Sequence, residues 1–100
     1  MFSGGTYEEV QRWLKNFLTS HAKREHPRAE VFFDGDDALE GRAYRARIHI
    51  GGRVSEPLEF DYKDVAEHRG TLAWCATLAQ RTRAQVKATL GAGIADARAR

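Results

Sequence analysis

The chain has little of what several classes of protein require. It contains one cysteine, Cys75, which excludes an internal disulfide and fits a reducing compartment. No apolar run approaches the ~18 residues that a membrane-spanning helix needs. The first ten residues, MFSGGTYEEV, lack the basic and apolar regions of a secretory signal peptide. These absences predict a cytoplasmic protein without membrane contact.

Patterns that bind metals or phosphates are also missing. The four histidines, His21, His26, His49 and His68, have no close metal-ligand spacing and no accompanying thiol cluster. The acidic segment DGDDALEG, residues 34–41, lacks the twelve-residue spacing of a calcium loop and is predicted to be a solvated turn. The GAG segment at residues 91–93 follows a helical pattern instead of opening one, so it is not a phosphate-binding loop. We therefore predict no cofactor and no metal.

The residue types of covalent catalysis do not form a recognisable set either. Cys75 lies in the apolar helical run LAWCATLA, where cysteine behaves as a small buried hydrophobe. No nucleophile, base and orienting group come together in the sequence. The expectation is a protein that is not an enzyme.

The composition is that of an ordinary globular domain. One hundred residues, 42% hydrophobic and 30% charged, suffice for one core without metal or disulfide support. We predict a single domain over residues 1–93, because Gly91 and Gly93 are expected to end the last helix. Residues 94–100 are then a frayed tail.

The first helix is predicted from Tyr7 to Arg24. Thr6 and Glu9 have the spacing of a capping box. Pro27 prevents the helix from continuing. Apolar residues recur at three- and four-residue steps and mark the face that meets the core: Val10, Trp13, Leu14, Phe17 and Leu18.

Three strands are predicted, at Arg28–Asp34, Ala43–Ile50 and Val54–Tyr62, with a hairpin turn at Gly51–Gly52. A two-residue turn alone would put the apolar residues of the third strand on the charged face of the second. The register must therefore shift by one residue. Either a three-residue loop or a bulge near Ser55–Pro57 provides this shift.

The central strand carries a row of cations, Arg45, Arg47 and His49, on the face opposite its apolar residues. In the shifted register Arg45 lies opposite Glu59, and the first strand adds Asp34 to the same face. Carboxylates beside the row would repel the phosphates of a nucleic acid. The cations are therefore predicted to pair with their own neighbours.

The second helical region starts at Lys63 and is interrupted at Gly70–Thr71, which favours a short turn to Arg69 and then a long helix. Its inward stripe is assigned to Leu72, Ala76 and Ala79. The predicted fold is α+β in two layers, with the order αβββα and both helices on one face of an antiparallel meander.

Surplus apolar surface suggests the function. Trp74 and Leu78 lie off the assigned stripe, so they either pack against the first helix or form an exposed patch. Phe32 is a single aromatic on the charged face of the sheet. We predict a protein-interaction module that self-associates through the second helix, with Trp74, Leu78 and Phe32 as interaction residues.

The alternative is a nucleic-acid-binding accessory protein. Residues 63–100 carry seven Lys/Arg against three Asp/Glu. The binding residues would then be Arg69, Arg81, Arg83 and Lys87. The order αβββα also occurs in double-stranded-RNA-binding domains. Those domains need a lysine-rich start to the second helix, where this chain has only Lys63, so the match is one of topology alone.

Overall fold

The helices and strands follow one another in the predicted chain order. A computed structural model describes the backbone of residues 5–98 and the side chains of residues 5–91. The described helices are α1 (Tyr7–Glu25), α2 (Tyr62–His68) and α3 (Leu72–Arg98). The described strands are β1 (Glu30–Phe33), β2 (Ala43–Ile50), β3 (Arg53–Val54) and β4 (Leu58–Asp61), with a short 3-10 helix at Asp37–Leu39.

The start of α1 is fixed by the predicted capping box. The Glu9 N–H donates to the Thr6 hydroxyl at 3.1 Å, and the Thr6 N–H donates to the Glu9 carboxylate at 3.1 Å. At the other end His26 is extended, with φ −150° and ψ 116°, as a residue before proline prefers to be. The predicted helix bounds are therefore confirmed to within one residue. The fully buried face of α1 consists of Val10, Leu14, Leu18 and Ala22.

The sheet is antiparallel with β2 in the centre, as predicted. β1 pairs with one side of β2, and β3 and β4 both pair with the other. The predicted third strand is thus divided in two. Ile50 pairs with Arg53 across the two-residue turn, whereas Arg45 pairs with Glu59 in a register shifted by one residue. The bulge at 55–57 is the alternative that the chain adopts.

The molecule has two layers. Inward residues of β2 are buried while the residues between them are partly exposed, so the strand alternates between core and solvent. α1 and α3 contact each other, and both lie against the apolar side of the sheet. The predicted α+β fold with helices on one face is confirmed. The inward residues of β2 are Tyr44, Ala46, Ile48 and Ile50.

The second helical region is divided at Gly70, a break that the sequence favoured without deciding, but the predicted end of the last helix is wrong. α2 ends at His68 and α3 begins at Leu72. α3 then passes through Gly91 and Gly93 to Arg98. A glycine costs only about 1 kcal/mol relative to alanine inside a helix, and the neighbouring residues are good helix formers. Residues 99 and 100 of the predicted frayed tail lie outside the described residues.

The inward face of α3 differs from the predicted stripe. Leu72 is 87% exposed and Ala76 is exposed, whereas Leu78 and Val86 are buried with two threonines of the same helix. The hydroxyls of Thr82 and Thr89 donate to the carbonyls of Leu78 and Gln85, each at 2.8 Å. These bonds allow threonine to be buried without an unpaired hydroxyl. An apolar stripe cannot show this face, because two of its residues are polar.

α3 has 27 residues, enough to raise the question of a membrane span. The sequence of α3, however, contains charged and polar residues along its length. None of the helices in the described part of the chain is both long and apolar enough to cross a membrane.

Candidate interaction surface

The cation row on β2 is paired within the domain. Arg45 Nε lies 3.1 Å from Glu59 Oε2, and Arg45 Nη1 lies 3.6 Å from Asp36 Oδ2. Arg47 Nε lies 3.1 Å from Asp34 Oδ1. The prediction that the cations pair with neighbouring carboxylates is confirmed for Arg45 and Arg47, whereas His49 lies against the ring of Phe32. The outer face of the sheet therefore presents matched charges, a poor surface for phosphate.

The three predicted interaction residues do not form one surface. Phe32 is 45% exposed on the outer face of the sheet, where its ring lies 4.6 Å from that of His49. Leu78 is only 4% exposed, so its assignment to an exposed patch is wrong: it belongs to the core face of α3. Trp74 is partly exposed and lies in the helical layer. Of the three, Trp74 alone is accessible on the helices.

The four predicted nucleic-acid residues are also dispersed. Arg81 lies over the ring of Phe60 at 5.1 Å. Arg83 is about 200° further around α3 and bonds to Glu25 at 3.0 Å, with Lys87 at 3.9 Å from the same carboxylate. Arg69 is partly buried between α2 and α3, with its guanidinium close to Gly5. These cations do not make one continuous basic strip.

Five aromatic rings form a row along the helical layer, which we call the ring ladder. His68 of α2 stacks on Trp74 of α3 with ring centroids 6.1 Å apart, and Trp74 lies 6.3 Å from Trp13 of α1. Trp13 stacks on Phe17 at 5.1 Å, and Phe17 lies 4.5 Å from His21. All five side chains are partly exposed. The ladder thus joins three helices through a continuous, solvent-accessible strip of rings.

The helices explain why the rings line up. Trp13, Phe17 and His21 are four residues apart, so they follow one another along α1. This line borders the fully buried face of α1 without coinciding with it. Trp13 and Phe17, which the apolar spacing assigned to the core, lie at its edge beside α3. The four-residue spacing of the rings was visible in the sequence, but their contact with Trp74 depends on how the helices pack.

The two ends of the ring ladder carry opposite charges. At one end the Asp64 carboxylate lies 3.2 Å from His68 Nδ1, and Glu67 is exposed beside it. At the other end His21 lies near Arg24 and Arg83. Burial, and after it the charges of these two arginines, lowers the pKa of His21 below its ordinary value. One end is therefore acidic and the other basic.

A groove of about 140 Å³ borders the ladder beside Trp74, between α3 and β4. Its walls combine the rings of Trp74 and Phe60 with the guanidinium of Arg81. Three carboxylates complete the lining and extend the acidic end of the ladder: Glu59, Asp61 and Asp64.

The described residues offer little else that could act chemically. The thiol of Cys75 is partly buried and donates to the carbonyl of Arg69 at 3.3 Å. Among the described residues, no group of three or more His, Cys, Asp or Glu is placed to hold a metal ion. Within the ladder, Trp74, Trp13 and Phe17 each contact two other rings. Their exposed parts would therefore meet a partner as one apolar strip.

Comparison of the chain with protein-family models, with curated proteins and with solved structures finds no match. The function is therefore inferred from the residues of the ring ladder and their surroundings.

Proposed function

We propose that the protein is an interaction module that self-associates through the ring ladder. The observation that carries this proposal is the continuity of five partly exposed rings across three helices. Aromatic residues, tryptophan above all, are enriched where protein interfaces derive most of their binding energy. Covering the strip would remove apolar surface from water, and such burial contributes a free energy of about 25 cal/mol per Å² to the contact.

Leu72 is exposed on another side of α3. It is 87% exposed at the first position of the helix, and its two-residue separation from Trp74 places it about 200° around the helix axis from that ring. The prediction of self-association through the long helix is therefore retained for Trp74, within the ring ladder, and not for Leu78.

Size measurements on two matched variants test the proposal. Phe17→Glu introduces a charge into the ladder, between Trp13 and His21, and should abolish association, since an unpaired charge is costly in an apolar contact. Thermal melting verifies that the variant is folded. Val54→Glu makes the same change at a residue that is 51% exposed on β3, and should leave association intact. Sedimentation velocity at protein concentrations from about 5 to about 500 μM compares the mass of both variants with that of the wild type. A wild-type monomer throughout, or equal behaviour of the two variants, would overturn the proposal.

Three other expectations remain predictions. The absence of catalytic activity rests on the lack of a catalytic constellation, and the cytoplasmic location rests on the single cysteine. Nucleic-acid binding is the competing function. Arg69, Arg81, Arg83 and Lys87 do not form one basic strip. Two of them, Arg83 and Lys87, lie beside the carboxylate of Glu25, an arrangement that does not favour phosphate binding.

A further inference from the structure

α1 and α3 run side by side in the same direction. Trp13 meets Trp74 near the start of both helices, and Glu25 meets Arg83 further along both. The charges at the two ends of the ring ladder are therefore separated along one common axis. This polarity restricts how a second copy could lie on the ladder.

The acidic end is a cluster of four carboxylates. Asp64 and Glu67 belong to α2, and Glu59 and Asp61 line the groove beside Trp74. Arg81 lies in the same groove, and it faces the ring of Phe60. Glu59 is itself paired with Arg45 at 3.1 Å, and with these six side chains counted the acidic end has a net charge of −2.

The basic end gathers three cations around one carboxylate. Arg83 and Lys87 approach Glu25, whose side chain is only 19% exposed, and both keep most of their own surface in water. Arg24 is exposed one residue away on α1. Counting these four side chains, the basic end has a net charge of +2.

We propose that two copies pack along the ring ladder in antiparallel orientation, with the acidic end of each on the basic end of the other. This inference rests on the proposed self-association. A two-fold axis across the ladder brings unlike ends together twice, whereas a parallel pair would place like charges on like. Complementary charges at the rim select orientation and speed association, while the apolar strip supplies the contact area.

Charge reversal tests the orientation. One variant carries Arg24→Glu with Lys87→Glu and has two acidic ends. The other carries Asp64→Lys with Glu67→Lys and has two basic ends. In an antiparallel pair each variant alone repels itself at both ends, and its Kd should rise by at least about tenfold. An equimolar mixture should associate nearly as well as the wild type, because the two variants complement each other.

The control changes charge by the same amount away from the ladder. Arg42→Glu with Arg53→Glu alters two exposed arginines on the sheet side of the molecule and should leave the Kd unchanged. Native mass spectrometry separates homodimers from the mixed dimer by mass, sedimentation gives each Kd, and thermal melting verifies that each variant is folded. Raising the salt concentration should also weaken the wild-type pair, since exposed charges are screened within about 8 Å at 0.15 M.

The outcomes distinguish the two proposals. A wild-type monomer at every concentration overturns self-association and with it this orientation. A wild-type dimer that survives either reversal unchanged overturns the antiparallel orientation alone, as does a mixture that is no better than its components. In a parallel pair, reversal at one end only exchanges one repulsion for another, so neither variant alone would be weaker.

Discussion

The hydroxyl of Ser55 occupies the place of a backbone acceptor beside Ile48. The backbone N–H of Ile48 donates to Ser55 Oγ at 2.9 Å, and the N–H of Ser55 donates to the carbonyl of Ile48 at 2.9 Å. The Ser55 hydroxyl itself donates to the carbonyl of Glu56 at 2.8 Å. The Ser55 side chain thus provides the hydrogen-bond acceptor for a backbone N–H of β2 at the point where the register changes.

Replacing Ser55 with alanine should destabilise the fold. The N–H of Ile48 would lose its acceptor in a buried position, and an unsatisfied buried donor costs about 1–3 kcal/mol. Ser20→Ala, at an exposed site on α1, should change the free energy of unfolding by less than about 0.5 kcal/mol. Urea unfolding of both variants measures the difference. Equal stabilities would mean that Ser55 does not support the bulge.

The orientation of α3 can be tested with one substitution made twice. Leu78 is 4% exposed and Leu72 is 87% exposed. Leu78→Ala removes core contacts and should cost about 2–5 kcal/mol, whereas Leu72→Ala should lie within about 0.5 kcal/mol of the wild type. Unfolding is followed at low concentration, where association contributes least. The reverse order would mean that the stripe of Leu72, Ala76 and Ala79 faces the core after all.

Stability should fall as the pH drops through the ordinary titration range of histidine. Burial and the nearby charges of Arg24 and Arg83 hold the pKa of His21 below its usual value of 6.5. The unfolded chain therefore takes up a proton at this residue before the folded chain does. His21 favours the folded state fully above pH 6.5, and this contribution is lost as the pH falls from there toward the lowered pKa.

His21→Gln isolates that contribution. The variant removes the titrating ring, so its stability relative to the wild type should improve as the pH falls from about 7.5 to 5. Chemical unfolding at several pH values measures the difference between the two proteins. A difference that does not change with pH would show that His21 titrates alike in the folded and unfolded states.

Nucleic-acid binding should be weak and non-specific. Near 150 mM salt we expect a Kd no tighter than about 10⁻⁴–10⁻⁶ M for duplex or single-stranded probes. Fluorescence anisotropy across a salt series measures both affinity and slope. Tight binding whose slope falls by about two units when Arg81 and Arg83 become Gln would favour the nucleic-acid function instead.

Local patterns determined the parts of the fold that were predicted correctly. The Thr6–Glu9 capping box and Pro27 bound α1, and the alternation of β2 marks its two faces. The shift between β3 and β4 was also predictable. A two-residue turn at Gly51–Gly52 conflicts with burying Leu58 and Phe60, and a bulge removes the conflict.

The sequence did not reveal which face each helix turns toward its neighbours. Thr82 and Thr89 donate to carbonyls of their own helix, which allows both to lie on the core face, so this face of α3 is not its most apolar stripe. The ring ladder depends on α1 lying beside α3, a tertiary contact that spacing within one helix cannot reveal. Trp74 was singled out in advance as an interaction residue, whereas Trp13 and Phe17 were assigned to the core face of the first helix.

The central claim, self-association through the ring ladder, has a direct spectroscopic readout. The chain contains two tryptophans, Trp13 and Trp74, and both belong to the ladder. Their emission therefore reports on this surface and no other. If the ladder becomes buried when two copies meet, water is removed from both indoles.

Tryptophan emission and acrylamide quenching should be followed against protein concentration, alongside the mass from sedimentation. We predict that the emission maximum moves to shorter wavelength and that quenching falls over the same concentrations at which the mass doubles. Phe17→Glu, which keeps both tryptophans, should abolish both changes. A doubled mass with unchanged emission and quenching would place the interface elsewhere, and a constant monomeric mass would contradict self-association itself.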